Sequence, residues 1–223
     1  MIKIEKKMKK TIVLLFAFLT LTNFAQAQTD AKAKAILAAV SKKYRTFDVV
    51  KADFSFVLDN QQAKLKEQQE GTLLVKAKAN KYKVSMDDQV LISDGKSQWT
   101  YLKADKEVQV TEVDNSNEAL NPARIFTMYE NGYKYLYTGD SKIGGRVYQM
   151  IDLSPLDTKK SFFKIRLSID KVAKQIANVL IFDKNGNKYT YKVKSFAGQT
   201  NIPESTFVFD TKKYPGVEVV DLR

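Results

Sequence analysis

A two-residue alternation of apolar and polar side chains runs through most of this 223-residue chain and limits the folds it can adopt. In the segment 50–58, Val50, Phe54 and Leu58 lie on one apolar face, and Lys51, Asp53 and Ser55 alternate with them. Successive side chains of a strand point to opposite faces, so this period predicts a β-strand. The pattern recurs along the chain and predicts about ten or eleven strands, separated by turn signals such as Asn185-Gly186.

Two segments break the alternation and indicate helices. Residues 30–47 place apolar side chains at helical spacing and lysines on the opposite side, which predicts an amphipathic N-terminal helix. A second, short helix is predicted between two halves of the sheet, with Asn121 as its N-cap, Pro122 in its first turn and Gly132 as its stop.

The predicted sheet encloses an interior that has to be filled. Strand twist curls a large antiparallel sheet into a barrel or part-barrel. The chain contains 13 Phe, 11 Tyr and one Trp, and a part-barrel of about eleven strands holds more space than its own side chains need. We therefore expect a mainly β fold, an unclosed antiparallel β-barrel around an apolar cavity, covered by the N-terminal helix and the short central helix.

The first 27 residues differ from the rest of the chain in the order of their basic, apolar and small residues. Lysines concentrate in the first ten residues, an apolar stretch follows, and Ala25 and Ala27 form a small-x-small pattern. This arrangement predicts a secretory signal peptide over residues 1–27, with Gln28 as the mature N-terminus. The apolar stretch is too short for a membrane span, which needs about 20 residues. Residues 28–223 are expected to form a single domain that is soluble in the periplasm.

Composition excludes several classes of function. The chain has no Cys and no His, which excludes disulfides, thiol nucleophiles, Ser-His-Asp triads and His-ligated zinc. No acidic cluster fits a calcium loop, and no group of residues has the spacing of a catalytic site, so no metal, cofactor or enzymatic activity is expected. The formal charge of +12 falls to +8 without the five lysines and one glutamate of residues 1–27. Export argues against a nucleic acid partner for this basic chain.

Several segments share specific features with a known family. Residues 93–96 read Ser-Asp-Gly-Lys, with Trp99 three residues later and Tyr101 two beyond, and the segments 54–57, 70–76 and 80–86 add to the pattern. Residues 207–209 and 215–219 are similar to the final strand and tail of the same family. Over most of residues 28–223 the chain resembles the periplasmic outer-membrane lipoprotein carrier proteins (the LolA-like family).

The resemblance implies a carrier of acyl chains. Its cargo would be an acylated lipoprotein or another lipid, received from an inner-membrane release complex and passed to an outer-membrane acceptor, and a monomer is expected. One departure concerns the lid. The family pattern has Lys-Arg-Pro after the Gly-x-Leu-x-Val strand, and its arginine tethers the lid. Here residues 76–79 read Lys-Ala-Lys-Ala, which leaves Lys78 as the candidate lid tether.

The predicted lipid-binding cavity is assigned to the apolar face of the first strands. Its predicted lining comprises Phe54, Phe56, Leu73, Val75, Tyr82, Val84, Met86, Leu91, Trp99 and Tyr101. The predicted lid residues are Ile36, Leu37, Val40, Phe126 and Met128.

Two other functions stay open at this point. In the first, the same half-barrel is a periplasmic protein-binding module or envelope regulator, and its interior is an ordinary packed core without lipid. In the second, the protein hydrolyses lipid, but without His or Cys this would need carboxylate or metal chemistry that no spacing supports. Lipid extracted with the purified protein would favour the carrier, and a dry, packed interior would favour the module.

Overall fold

The computed structural model describes residues 30–113, 122–199 and 201–223. An α-helix, α1, covers residues 30–44. The predicted signal peptide with its cleavage site and the predicted N-cap Asn121 lie outside the described residues. The strands that follow α1 are β1 Val49–Asn60, β2 Leu65–Lys76, β3 Lys81–Met86, β4 Gln89–Ser93, β5 Ser97–Leu102, β6 Glu107–Glu112, β7 Tyr133–Ile143, β8 Arg146–Pro155, β9 Phe162–Asp170, β10 Gln175–Asp183, β11 Lys188–Gln199 and β12 Glu218–Asp221.

All twelve strands form one sheet, in the order β12-β6-β5-β4-β3-β2-β1-β11-β10-β9-β8-β7. Neighbours are antiparallel except β12 and β6, which are parallel. Strands β1–β6 form one meander and β7–β11 a second, and the pairing of β1 with β11 joins the two. Among the described strands β6 does not pair with β7, so the sheet stays open. The predicted unclosed β-barrel is confirmed, with one strand more than the eleven expected.

The additional strand is the short β12 at the edge of the sheet. Its four residues pair with β6 in parallel from Glu218 to Asp221, and so few residues give too little alternation to be recognised in sequence. The family's final strand was expected at 207–209. The structure instead places a 3₁₀ helix at Glu204–Phe207, followed by extended chain.

The inner face of the sheet carries the main core, and α1 covers its second half. Leu37 and Val40 of α1 are 3% and 0% exposed. The Tyr44 hydroxyl accepts a hydrogen bond from the backbone N–H of Ile176 at 3.1 Å. The Lys32 ammonium lies 3.9 Å from the ring centre of Tyr137 on β7. These contacts fix α1 over β7–β10, and its apolar stripe packs there as the 3.6-residue period predicts.

The segment between β6 and β7 forms two 3₁₀ turns, Pro122–Arg124 and Met128–Glu130, rather than one helix. Thr127 has φ −137° and ψ −3°, far from helical values, so the first turn cannot extend into the second. The apolar residues here are also nearly consecutive, and a regular helix would turn some of them away from the sheet. Residues 122–130 are called the lid segment below.

A second, smaller core lies on the outer face of β4–β6. Val90, Ile92 and Val108 are buried there beneath Phe209 of the C-terminal tail. Tyr214 stacks on Phe209 with ring centres 4.6 Å apart. The tail therefore covers the outer face of the strands to which it also adds β12.

The described residues contain no helix that is long and apolar enough to cross a membrane. Within the same ranges, no three acidic, His or Cys side chains come together as a potential metal site.

Candidate binding cavity

A cavity of about 270 Å³ lies between the inner face of the sheet and the lid segment. One wall comes from β1–β4, the opposite wall from β10 and β11, and the lid segment crosses between them. The described side chains that line it are almost all apolar: Ala52, Phe54, Leu73, Val84, Met86, Gln89, Leu91, Pro122, Ile125, Phe126, Met128, Ile176, Val179, Ile181, Tyr191 and Val193.

None of these lining side chains carries a charge near neutral pH. Gln89 contributes the one amide among them, and Tyr191 the one hydroxyl. Burial raises the pKa of Tyr191 to about 12, so the phenol stays neutral. A charged group inside this cavity would lose its hydration without gaining a partner, at a cost of several kcal/mol. The cavity therefore accepts apolar groups and excludes ions.

The structure brings seven of the predicted cavity and lid residues onto this cavity. They are Phe54, Leu73, Val84, Met86 and Leu91 on the sheet, and Phe126 and Met128 on the lid segment. The strand alternation identified the sheet residues, because a single cross-strand row connects Leu73, Val84 and Leu91. Their role in binding a ligand stays a proposal.

Three predicted cavity residues belong to the adjoining core. Val75 and Tyr82 are each 1% exposed, and the Tyr82 hydroxyl donates a hydrogen bond to Oε1 of Gln98. Burial raises the pKa of Tyr82 to about 12. Phe56 lies beside Tyr189 and Tyr191, with ring centres 6.3 and 5.1 Å away. All three share the inner face of the sheet but do not line the cavity.

The prediction that Trp99 and Tyr101 line the cavity is wrong, because both lie on the outer face of the sheet. Leu91 pairs with Thr100 across β4 and β5, so Thr100 shares the cavity face, and its two neighbours point the other way. Trp99 packs on the outer-face core. The Tyr101 ring centre is 4.6 Å from that of Tyr214. The alternation predicted within β5 is correct, but the residues assigned to its inner face are shifted by one position relative to β4.

The lid residues predicted on α1 lie in the core and not at the cavity. Leu37 and Val40 are core residues, and Ile36 packs partly buried against the same core. None of them lines the cavity, because α1 lies over the second meander. The helix reaches the cavity indirectly, through contacts between its last turn and the lid segment.

Those contacts join two residues of α1, and the residue that follows it, to the lid segment. The buried Ser41 hydroxyl donates a hydrogen bond to the Tyr129 hydroxyl at 3.0 Å. The Tyr44 ring stacks on Phe126 with centres 4.3 Å apart. Arg45 forms an ion pair with Glu130 at 2.5 Å. We call the Ser41–Tyr129 and Arg45–Glu130 contacts the lid latch.

Lys78, the predicted tether, is exposed and lies at a small crevice that it shares with Ala123, Phe126 and Thr127 of the lid segment. The ion pair to the lid segment comes from Arg45 instead. Lys76 pairs with Glu204 at 2.6 Å, on the chain leading into the C-terminal tail. Sequence reasoning missed Arg45 because the partner carboxylate, Glu130, lies 85 positions away.

Sequence reasoning also missed the cavity wall formed by β10 and β11. Ile176, Val179, Ile181, Tyr191 and Val193 line the cavity, and all belong to strands recognised as such in sequence. They reach the cavity because β11 pairs with β1. Alternation alone does not predict which distant strands pair, so these residues could not be assigned to the site.

Gly71 controls the position of the Phe54 ring at the cavity wall. The two residues pair across β1 and β2, and a Cβ atom at Gly71 would overlap the end of that ring. In Gly71→Ala the ring has to move, and the open space beside it is the cavity. We expect Gly71→Ala to reduce the uptake of an apolar fluorescent probe several-fold, with little change in thermal stability.

The matched control is Gly198→Ala, because a Cβ atom there would overlap the ring of Phe47, which does not line the cavity. Equal probe binding by wild type and Gly71→Ala would show that Phe54 moves away from the cavity or that the probe binds elsewhere.

One comparison with a solved structure supports the fold. An uncharacterized conserved protein from Thermus thermophilus is similar over 85% of this chain and 99% of its own, with TM-score 0.55 and 16% identity. At that identity the likeness shows the fold alone. A LolA superfamily protein from Nitrosomonas europaea shares 10% identity over 79% of this chain and 97% of its own, with TM-score 0.44. The lipoprotein LppX from Mycobacterium tuberculosis shares 11% sequence identity over 78% of this chain and 100% of its own, with TM-score 0.46.

No curated protein matches this chain. A family model does match it, that of the outer membrane lipoprotein carrier protein LolA, over residues 45–210. The matched range spans β1 to β11 and the lid segment, and so contains every wall of the cavity. The chain therefore belongs to the LolA family of outer membrane lipoprotein carrier proteins.

Proposed function

We propose that this protein is a periplasmic carrier that binds the acyl chain of a lipoprotein or a related lipid in the cavity and moves it from the inner to the outer membrane. One observation carries the proposal: an uncharged apolar cavity is closed on one side by a short lid segment instead of a strand. Family membership supports the same class of cargo. The proposed role is binding, and no catalytic step is assigned to the protein.

The size of the cavity suits partial and reversible binding. Its volume of about 270 Å³ lies just below the usual range for ligand pockets, about 300–1,000 Å³. Burial contributes about 0.8 kcal/mol for each methylene removed from water. Full burial of several long chains would exceed the practical affinity limit near 20 kcal/mol and prevent release. A carrier with this cavity would hold part of one chain and could release it.

The lid segment supplies the means of exchange. Ile125, Phe126 and Met128 pack against the apolar walls, so they and an acyl chain compete for the same surface. The thioether side chains of Met86 and Met128 adapt easily to different shapes. Loading would move the lid segment outward, and unloading would return it, so that apolar surface stays covered in both states.

The cavity assignment predicts the effect of a filling substitution. Leu91 is a half-buried wall residue, and in Leu91→Trp the larger ring would occupy part of the cavity. We expect the Kd of a fluorescent acyl probe to rise about tenfold or more while thermal stability is retained, because the ring fills existing space. The matched control is Leu180→Trp, a half-buried position next to the cavity residues Val179 and Ile181 but on the outer face of β10.

The same proteins should be purified from their native envelope and their organic extracts analysed by mass spectrometry. Wild type and Leu180→Trp should release an acylated molecule, and Leu91→Trp should release less of it. An empty wild-type extract, together with no probe binding, would overturn the carrier proposal. It would favour the protein-binding module as the function of this fold.

If the lid latch holds the lid segment closed, weakening it should raise the rate at which the carrier binds an acyl chain. Ser41→Ala removes the donor to the buried Tyr129 hydroxyl, whose pKa is raised by that burial. A hydrogen bond of this kind contributes about 0.5–1.5 kcal/mol, so the closed lid should lose about that much. We expect the association rate of the acyl probe, measured by stopped-flow fluorescence, to rise several-fold.

Thr46→Ala is the control for this substitution, because the exposed Thr46 hydroxyl, just after the end of α1, donates a local hydrogen bond to the backbone oxygen of Lys43. An unchanged association rate in Ser41→Ala, with lowered thermal stability, would assign the hydrogen bond to core packing instead of lid closure.

We also propose that export precedes function, with residues 1–27 removed and residues 28–223 acting in the periplasm. The basic, apolar and Ala-x-Ala pattern of the N-terminus supports this. N-terminal sequencing of protein from a periplasmic fraction should therefore begin at Gln28. Periplasmic protein that still begins at Met1 would contradict cleavage. An inner-membrane donor and an outer-membrane acceptor complete the proposed route.

A further inference from the structure

The wall of the cavity changes character along one cross-strand row. Ala52, Leu73, Val84 and Leu91 pair in succession across β1, β2, β3 and β4. The row continues through Thr100 on β5 and Gln109 on β6. Directly paired residues share a face of the sheet, so along this row the inner face is apolar over four strands and polar over the next two.

A second row beside the first is also polar on β5 and β6, and already on β4. Ser93 pairs with Gln98 across β4 and β5, and Gln98 pairs with Thr111 across β5 and β6. Gln98, Thr100, Gln109 and Thr111 thus form a two-by-two block on the inner face, called the polar strip below. All four are half-buried. Strands lie about 4.8 Å apart, so the strip extends roughly 10 Å beyond Leu91.

The polar strip differs in charge from the solvated faces of the sheet. On the outer face, β11 carries Lys188 and Lys192, and β2 carries Lys66 and Glu70. Charged residues make up 28% of this chain. A strand face that contacts nothing but water would therefore be expected to carry such charges. The strip offers neutral amides and hydroxyls instead. Its one ionisable neighbour on the same face of β6 is Glu107, whose carboxylate accepts a hydrogen bond from Gln109 at 2.8 Å.

The strip retains capacity to bind a ligand. Gln98 already accepts from Tyr82 and donates to Thr100 at 3.4 Å, which holds its amide in place. Among the described residues, the Thr111 hydroxyl and the Gln109 side-chain oxygen have no hydrogen-bond partner. Neutral donors and acceptors suit hydroxyl groups, whereas a phosphate prefers cations such as Arg and Lys. Glu107 would also repel an anion.

We propose, resting on the carrier function above, that the polar strip binds the uncharged, hydroxyl-bearing head group of an amphipathic lipid whose acyl chain occupies the cavity. The cargo class is then a neutral sugar-bearing lipid in preference to an anionic phospholipid. The chain packs on the apolar half of the row, and the head group lies over Thr100 and Gln109. Lys103, at this end of β5, donates instead to the backbone oxygens of Met86 and Asp87.

The test compares single-chain probes that share a decyl chain and differ in head group, each used below its micelle concentration. Decyl maltoside is neutral, decylphosphocholine is zwitterionic and decyl sulfate is anionic. Displacement of a fluorescent acyl probe gives the affinity of each. We expect decyl maltoside to bind about tenfold more tightly than decyl sulfate, as two additional neutral hydrogen bonds would allow.

The double variant Thr100→Val/Gln109→Met keeps the size of the strip and removes its hydrogen bonds. It should lose the preference for maltoside while it still binds the acyl probe. The matched control is Thr190→Val on the outer face of β11, where Thr190 pairs with Val57. Should the double variant fail to fold, Thr111→Val gives the same comparison at one position.

The outcomes separate this inference from the carrier function. Equal affinities for the three decyl probes, or a maltoside preference that survives in the variants, would overturn the head-group assignment and leave the carrier function standing. Tighter binding of an N-decanoyl neutral peptide than of decyl maltoside would assign the strip to peptide and also overturn it. Absence of binding by every probe would instead count against the carrier function.

Discussion

The pairing of β1 with β11 is the interaction on which the rest of this structure depends. It joins two meanders that would otherwise be separate sheets, over a register that runs from Val49 and Gln199 to Asp59 and Lys188. Because β1 also pairs with β2 along its length, it is shared by both halves and buried on its inner face. Without this pairing β10 and β11 would not face β2–β4, and the cavity would have one wall instead of two. A contact between residues about 140 positions apart is costly in chain entropy, and the long run of paired backbone groups offsets that cost.

The same topology explains why the cavity needs a lid segment instead of another strand. With β1 and β11 paired at the centre, β6 and β7 become the ends of the two meanders, and the chain has to cross the inner face to connect them. The residues that cross are those of the lid segment, which pack against both apolar walls. Two short 3₁₀ turns form fewer backbone hydrogen bonds than a helix or a strand of the same length. This connection is therefore the part of the inner face that can move at the lowest cost in free energy.

Much of the fold could be predicted from the sequence, but the site only in part. Period-two alternation depends on local geometry, so it identified Phe54, Leu73, Val84 and their strands correctly. It does not fix the phase between neighbouring strands, which placed Trp99 and Tyr101 on the wrong face, because Thr100 and not its neighbours pairs with Leu91. The helical period of α1 likewise predicted a buried stripe at Leu37 and Val40 but not which half of the sheet the stripe covers. The lid latch joins residues more than 80 positions apart, and no local pattern marks such a contact.

The energetics of the lid segment determine whether the protein can act as a carrier. A buried Phe or Met side chain contributes about 1.5–3 kcal/mol relative to exposure, and a segment of acyl chain that replaces it gains a similar amount at about 0.8 kcal/mol per methylene. In the proposed carrier, the free energies of the closed and loaded states would then be nearly equal, so small polar contributions would decide between them. The Ser41–Tyr129 hydrogen bond contributes about 0.5–1.5 kcal/mol to the closed state, and the Arg45–Glu130 pair, with the arginine side chain 62% exposed, contributes about 1 kcal/mol at most. A bias of this size would keep the empty cavity covered without preventing entry of the proposed cargo. An arginine fork buried against the lid would bias the closed state more strongly, and the exposed Arg45 of this chain therefore suits a cargo that is exchanged readily.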